Sequence, residues 1–200
     1  DRIAQALVEA GEIEGEKTLE IGPGTGSITE KLQEKTDDLV LVERNGNLAS
    51  YLRKEFPDSE VLKQDFLEVD LDEPDVERCV SNIPFEISSD ILEKLGEAQI
   101  QSALIVQDEL ADKVVSEPGD KKYGIATIRA QYYFVPVKLR TISSRNFYPE
   151  PEVDAAVLKL YPNKERHPVE DEEEFFKLVK ALFTHKRKKL RNSFVDTRHI

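Results

Sequence analysis

Apolar residues along the 200-residue chain fall in short runs separated by amphipathic stretches, the alternation expected of an α/β protein built on a sheet. The runs predict strands at Thr18 to Ile21, Leu39 to Val42, Glu60 to Lys63, Cys79 to Ser81, Ala103 to Val106, Val137 to Ile142 and Ala155 to Leu160. Between them, apolar positions recur at helical spacing over Ile28 to Glu34, Leu48 to Phe56, Ser88 to Leu95, Leu110 to Val115 and Ile125 to Tyr133. An amphipathic pattern with Ile3, Leu7 and Val8 opens the chain. Helical crossovers join parallel strands, so a seven-stranded, mostly parallel sheet is expected. Only the Pro-rich turn Phe147 to Pro151 separates the last two strands, which are expected to pair antiparallel. From Asn163 the composition turns charged and helical, with Phe175, Leu178, Val179, Leu182 and Phe183 placed on one face. This suggests a main domain over residues 1–162 and a small helical domain starting within 163–200 and cut short at Ile200.

Composition narrows the setting. Hydrophobic residues make up 39% of the chain, and no run approaches the roughly 20 apolar residues of a membrane helix. The opening lacks the basic-then-apolar layout of a secretory signal, and the chain does not start with Met, so its true N-terminus is expected to lie upstream. A lone Cys79 can form no internal disulfide and is expected in the core of a soluble, cytoplasmic protein. No metal is expected. Forty acidic against 28 basic residues give a net charge of −12, which repels a phosphate backbone, so any contact with nucleic acid has to be local. Lys186, Arg187, Lys188, Lys189 and Arg191 supply such a local cluster, while Glu170 to Glu174 is an unbroken acidic run.

Candidate chemistry begins at Glu20-Ile21-Gly22-Pro23-Gly24-Thr25-Gly26, a strand running into a glycine turn and then a helix. Glycines there let the backbone turn tightly and approach a ligand. The pattern also serves nicotinamide and flavin cofactors, or no ligand at all. Glu43, at the end of the second strand and 23 residues after Glu20, stands close to the offset at which an acidic side chain meets a ribose. Glu20 suits a ligand carrying an ammonium and a sulfonium better than one carrying a pyrophosphate, which points to S-adenosylmethionine. Asp65 and Phe66 follow the third strand, where a carboxylate can accept from an adenine amino group and a ring can pack on the base; Asp65 alone would equally serve as a turn cap. The three carboxyls fall at successive strand ends, along the edge where open α/β sheets bind ligands.

The fourth strand ends in Ser81-Asn82-Ile83-Pro84-Phe85. An adenine amino nitrogen is a poor nucleophile because its lone pair is delocalised into the ring. The Asn82 side-chain oxygen and the Ile83 carbonyl can accept its two N–H bonds and localise that pair, Pro84 stiffens the turn, and Phe85 offers a stacking face. On the Pro-rich loop between the last strands, Phe147 can wall the opposite side of a base turned out of an RNA helix. Plainer uses exist for both: an ordinary Asn-x-Pro turn and a loop anchor packed in the core.

These segments together resemble the ribosomal RNA small-subunit adenine dimethyltransferases, the KsgA type and its archaeal and eukaryotic relatives. The resemblance runs from Glu20-Ile21-Gly22-Pro23-Gly24 through Asn82-Ile83-Pro84-Phe85, Gln107-Asp108-Glu109-Leu110-Ala111, Tyr123-Gly124 and Phe147-Tyr148-Pro149-Glu150-Pro151-Glu152-Val153-Asp154 to Phe183 through Asn192. It implies a Rossmann-like class I methyltransferase domain with a helical C-terminal domain. It also implies N6,N6-dimethylation of two adjacent adenosines near the 3′ end of small-subunit ribosomal RNA during ribosome assembly. The set expected at the cofactor is Glu20, Gly22, Gly24, Gly26, Glu43, Arg44, Asp65, Phe66 and Asn82. Asn82, Ile83, Pro84, Phe85 and Phe147 are expected at the reacting base, and the cations from Lys186 to Arg191 on RNA. The precursor of the small ribosomal subunit is the expected partner of a monomeric enzyme. Three departures stand out: Phe85 replaces the family's usual tyrosine, a Gln/Asn-Phe-Leu segment that precedes the first helix in the family is not in this sequence, and the family's C-terminal domain usually continues beyond Ile200. A large-subunit RNA methyltransferase and a non-catalytic assembly factor of the same fold stay open as alternatives; a nicotinamide-dependent oxidoreductase is disfavoured by Glu20 and the Asn-x-Pro-aromatic turn.

Overall fold

A computed structural model of the chain describes residues 2–71 and 75–184. Helix α1 (Arg2–Gly11) turns Ala4, Leu7, Val8 and Gly11 inward, the spacing of one helical face. Strands β1 (Thr18–Ile21) and β2 (Leu39–Val42) are buried at every position, as strands covered on both sides are. Short helix α2 (Thr29–Leu32) lies between them in sequence. Helix α3 (Gly46–Glu55) is capped by Asn45, whose side chain accepts from the N–H groups of Asn47 and Leu48. There follow β3 (Glu60–Leu62), β4 (Arg78–Asn82), α4 (Ser88–Glu97), β5 (Gln101–Gln107), α5 (Asp108–Val114), α6 (Ile125–Tyr133), β6 (Phe134–Ile142), β7 (Ala155–Pro162) and α7 (Glu172–Thr184).

The strands form one seven-stranded sheet in the order β3-β2-β1-β4-β5-β7-β6. The first five pair in parallel, and β7 runs antiparallel to both β5 and β6. The expected sheet and the antiparallel final pair are both present; the insertion of β7 between β5 and β6 was not foreseen. Apolar side chains cover both faces. On one side Leu19, Leu104 and Leu158 pack with Ile91 and Leu95 of α4 and with Ala130 and Tyr133 of α6. On the other, Leu41, Ile105 and Val157 pack with Leu7 and Val8 of α1, Leu32 of α2 and Leu52 of α3. Lys159 crosses this second layer: its ammonium, almost fully buried, donates to the carbonyls of Ala10 (2.6 Å) and Gly11 (3.1 Å), the last of α1. A cation at a helix C-terminus satisfies orphan carbonyls and opposes the helix dipole, so α1 is fixed to the sheet at that end.

One irregularity positions the site. β1 and β2 pair along their whole length, but β1 and β4 pair only at Thr18↔Arg78 and Leu19↔Cys79. Above that point Ser81 Oγ accepts the Ile21 N–H at 2.6 Å, a side chain replacing the missing ladder carbonyl. The ladder therefore ends between the two strands at which chain order reverses, where open α/β sheets form their ligand crevice.

Two expectations need correction. The sixth strand starts at Phe134 and not Val137, because Pro136, which lacks an N–H, is tolerated on this edge strand. The buried face of α7 is carried by Phe176 and Val179, while Leu178 is 39% exposed. Tertiary packing decides this: Phe176 lies 5.5 Å from the Tyr132 ring and 5.9 Å from the Tyr133 ring of α6. Among the described residues no helix is long and apolar enough to cross a membrane. The Lys186–Arg191 cluster lies outside the described residues.

Ser81→Ala should leave the buried Ile21 N–H without its partner and destabilise the fold by about 1–3 kcal/mol, read as a lowered urea midpoint at unchanged slope. An unshifted midpoint would show that the bridge contributes nothing.

Candidate active site

The ends of β1, β2 and β3 and the turn after β4 enclose a cleft of about 290 Å³, whose walls include Gly22, Glu43, Arg44, Asp65, Phe66 and Pro84. Gly22 (φ +64°) and Gly24 (φ +59°) have left-handed backbones that glycine adopts without strain, and a Cβ at either would meet nothing within 4 Å, so the turn has open space beside it. Gly26 serves packing instead, since a Cβ there would stand 2.3 Å from the Phe56 ring. Glu43 ties the turn to the second strand: its carboxylate accepts the N–H of Asn45 at 2.8 Å and of Gly24 at 3.3 Å. Asp65 fulfils the turn-cap reading and also lines the cleft. One carboxylate oxygen caps the following turn by accepting the Leu67 N–H at 3.0 Å, and the other faces the exposed Arg44 guanidinium at 3.6 Å. Phe66 is buried and shows the cleft only part of its ring, with the Lys94 ammonium 5.7 Å from the ring centroid.

Glu20 does not line this cleft. It is 1% exposed beneath the glycine turn and accepts from Thr29 Oγ1 at 2.6 Å. Burial pushes its carboxyl up to about 8, against the lowering effect of the Thr29 hydroxyl. Thr29 was not among the expected residues; its place in the first turn of the helix after the glycines was the available signal. Burial likewise pushes the Cys79 thiol up to about 12, so it holds its proton and has no nucleophilic character at neutral pH.

A second cavity of about 220 Å³ opens beside the same turn, lined by Asn82, Phe147, Ser27, Asn146 and Tyr148 together with Ile3 and Ala4 of α1, Ile28 and Ile105. Asn82 is exposed at the end of β4, and its side chain has no hydrogen-bond partner among the described residues. The backbone around it is held firmly: Ile83 is buried with its N–H on the Ile105 carbonyl at 3.3 Å, and Ser88 Oγ donates to the carbonyls of Pro84 and Phe85. Pro84 lines the first cavity and Asn82 the second, and two residues of chain span at most about 7 Å, so the cavities adjoin at this turn. Phe85, expected on the wall opposite Phe147, is half-buried against the α1-side core and does not line the second cavity. Ser27, Asn146, Ile3 and Ala4 were missed because nothing local marks them; the fold assembles them from three separate segments.

The sequence model of a family described as ribosomal RNA adenine dimethylase matches residues 1–199. The chain belongs to the ribosomal RNA adenine dimethylase family. Among relatives of this dimethylase-family chain, a protein named probable ribosomal RNA small subunit methyltransferase A from Haloquadratum walsbyi is 36% identical over 206 residues, covering 100% of this chain and 68% of that protein. Its namesake from Methanopyrus kandleri is 37% identical, with 100% and 73% covered. A dimethyladenosine transferase from Plasmodium falciparum superposes with a TM-score of 0.87 at 27% identity, covering 96% of this chain and 72% of that one. The class I methyltransferase fold implied by the sequence is thus the fold observed.

Glu20 carries a pH dependence. Its folded-state value, about 8, lies above the ordinary 4.5, so the stability it contributes is complete below about pH 4.5 and is lost as pH rises through about 8. Wild-type stability should fall between pH 5 and 8.5 by a few kcal/mol more than that of Glu20→Gln, which keeps an acceptor for Thr29 but has no proton to lose. Parallel urea midpoints of the two proteins across that range would contradict the assignment.

Proposed function

We propose that this chain is an S-adenosylmethionine-dependent enzyme that dimethylates the amino groups of two adjacent adenosines near the 3′ end of small-subunit ribosomal RNA. The observation that carries the proposal is the placement of the Asn82–Pro84 turn between two adjoining cavities at the break in the sheet. The first cavity fits the cofactor: Gly22 in its wall with open space where a Cβ would stand, a carboxylate at Glu43 already oriented by two N–H groups, and Asp65 and Phe66 lining the same cleft. Each Glu43 oxygen accepts one backbone bond and keeps a lone pair for a ribose hydroxyl. Asp65 is placed to accept from the adenine amino group, while Glu20 and Gly26 support the glycine turn from beneath.

When bound, S-adenosylmethionine supplies a methyl group already activated on a sulfonium. The chain's task is to position the acceptor. Asn82 Oδ1 and the Ile83 carbonyl accept the two amino N–H bonds of the target adenine and localise its lone pair, and Phe147 stacks on the base. No protein nucleophile takes part, since the Cys79 thiol is buried and protonated, and the departing amino proton passes to water. Holding the reacting atoms within about 3–3.5 Å in line supplies much of the acceleration. The unpartnered Asn82 side chain supports an active enzyme over a non-catalytic factor of the same fold.

The precursor of the small subunit, in the cytoplasm, is the partner in this reading, with the chain acting as a monomer. Residues 1–162 form the methyltransferase domain and 163–200 begin the helical RNA-binding domain, where Lys186, Arg187, Lys188, Lys189 and Arg191 contact phosphates.

Asn82→Ala should lower methyl transfer to precursor small subunits by about a hundredfold while cofactor affinity stays near the wild-type value. Glu43→Ala should weaken cofactor binding roughly ten- to a hundredfold in calorimetry. Wild-type turnover in Asn82→Ala would remove the basis of the proposal.

A further inference from the structure

The turn that carries Phe147 shows a second aromatic ring to solvent. Tyr148 is 102% exposed, as far out in water as a side chain can be, yet it stands at the rim of the cavity that Phe147 and Asn82 line. Its hydroxyl and ring make no hydrogen bond or ring contact among the described residues. The backbone beneath it is held, not loose. Asp154 accepts the Ser144 N–H at 2.9 Å, the Ser144 hydroxyl donates to Glu150 at 3.0 Å, and the Phe147 N–H returns to the Ser144 carbonyl at 3.0 Å. Three residues earlier, Arg145 is exposed and has no ion pair among the described residues, although the chain carries a net charge of −12. A large ring left wholly in water adds no burial to the fold. The hydrogen-bonded turn thus carries one half-buried ring at Phe147, one fully exposed ring at Tyr148, and an exposed cation at Arg145 two residues before the first.

The geometry points to a second stacking site: Tyr148 receives the base of the nucleotide next to the target adenosine, and Arg145 contacts the phosphate that joins them. This rests on the reading of the cavity as the target-base site. A base drawn into that cavity leaves its neighbour with one uncovered face, and an exposed aromatic at the rim covers it. Stacking of this kind tolerates any base, because each has a π-face. The site therefore recognises an unpaired RNA segment flanking the target and supplies affinity where the overall charge opposes it. Arginine adds a phosphate contact whose strength falls with salt.

Since Tyr148 is fully exposed, and the Arg145 side chain is exposed with no hydrogen bond or ion pair among the described residues, substitutions here test recognition with little effect on the fold. With precursor small ribosomal subunits as methyl acceptor, Tyr148→Ala should raise KM about tenfold, the effect of losing one base–aromatic stack, with kcat, cofactor affinity and unfolding midpoint near wild type. Tyr148→Phe should restore the wild-type KM, because the ring and not the hydroxyl is used. Arg145→Gln should flatten the dependence of log KM on log salt concentration by about 0.7, the share of one phosphate on a single strand. A wild-type KM in Tyr148→Ala overturns the stacking site, and an unchanged salt slope in Arg145→Gln overturns the phosphate contact. Asn82→Ala assayed in parallel separates the two levels. Loss of turnover there, with an unaffected Tyr148→Ala, would leave the proposed function standing and this inference refuted; full turnover in Asn82→Ala would remove both.

Discussion

The early end of the ladder between β1 and β4 is the constraint from which the site follows. Two rungs join these strands, and then the Ser81 hydroxyl takes over the Ile21 N–H. At this break the chain order reverses, so β1, β2 and β3 end on one side and β4 and β5 on the other. Strand ends on the first side bring Gly22, Glu43 and Asp65 to one cleft; the end of β4 brings Asn82 to the neighbouring cavity. In the proposed reaction, a methyl group handed from one cavity to the other has only the width of the Asn82–Pro84 turn to cross. The arrangement needs no catalytic base or nucleophile, since accuracy of position is what the break in the sheet provides.

Carboxylates hold the parts around this break, each by a different means. Glu43 stays near the surface of the cleft and is fixed by backbone N–H donors. Glu20 is sealed in the core on the first strand, where desolvation favours its neutral form and the Thr29 hydroxyl donates to its side chain. Asp154 closes the base of the Phe147 loop. Lys159, by contrast, is a buried cation that fixes α1, whose first turn brings Ile3 and Ala4 to the Asn82 cavity. An acidic chain thus uses several of its carboxyl groups as local ties.

How much of this was legible in the sequence depended on whether a signal was local. Leu39–Val42 could be delimited to the residue because a strand buried on both faces reads as an unbroken apolar run bounded by polar residues, and Thr18–Ile21 because the glycine turn follows it directly. The glycine turn and the Asn82–Phe85 motif were readable for a similar reason, as their backbone demands are met by particular residues in succession. Phe134–Pro136 escaped because Pro136 argues against a strand unless its edge position is known. The α7 face was misread because Tyr132 and Tyr133, forty residues away, choose which side is buried. Ser27, Asn146 and the α1 residues of the Asn82 cavity carry no mark of their own; only the fold brings them to Asn82. Glu20 shows the limit most clearly: its place before the glycines suggested contact with the ligand, and its side chain instead turns inward to Thr29.

The account stands most directly on where methyl groups arrive. Precursor small ribosomal subunits incubated with the protein and S-adenosylmethionine, followed by nuclease digestion and mass mapping of every modified adenosine, decide it. The account predicts N6,N6-dimethyladenosine at two adjacent positions near the 3′ end of the small-subunit RNA. Methylation confined to large-subunit RNA, or to ribose or ring positions other than the adenine amino group, would contradict it.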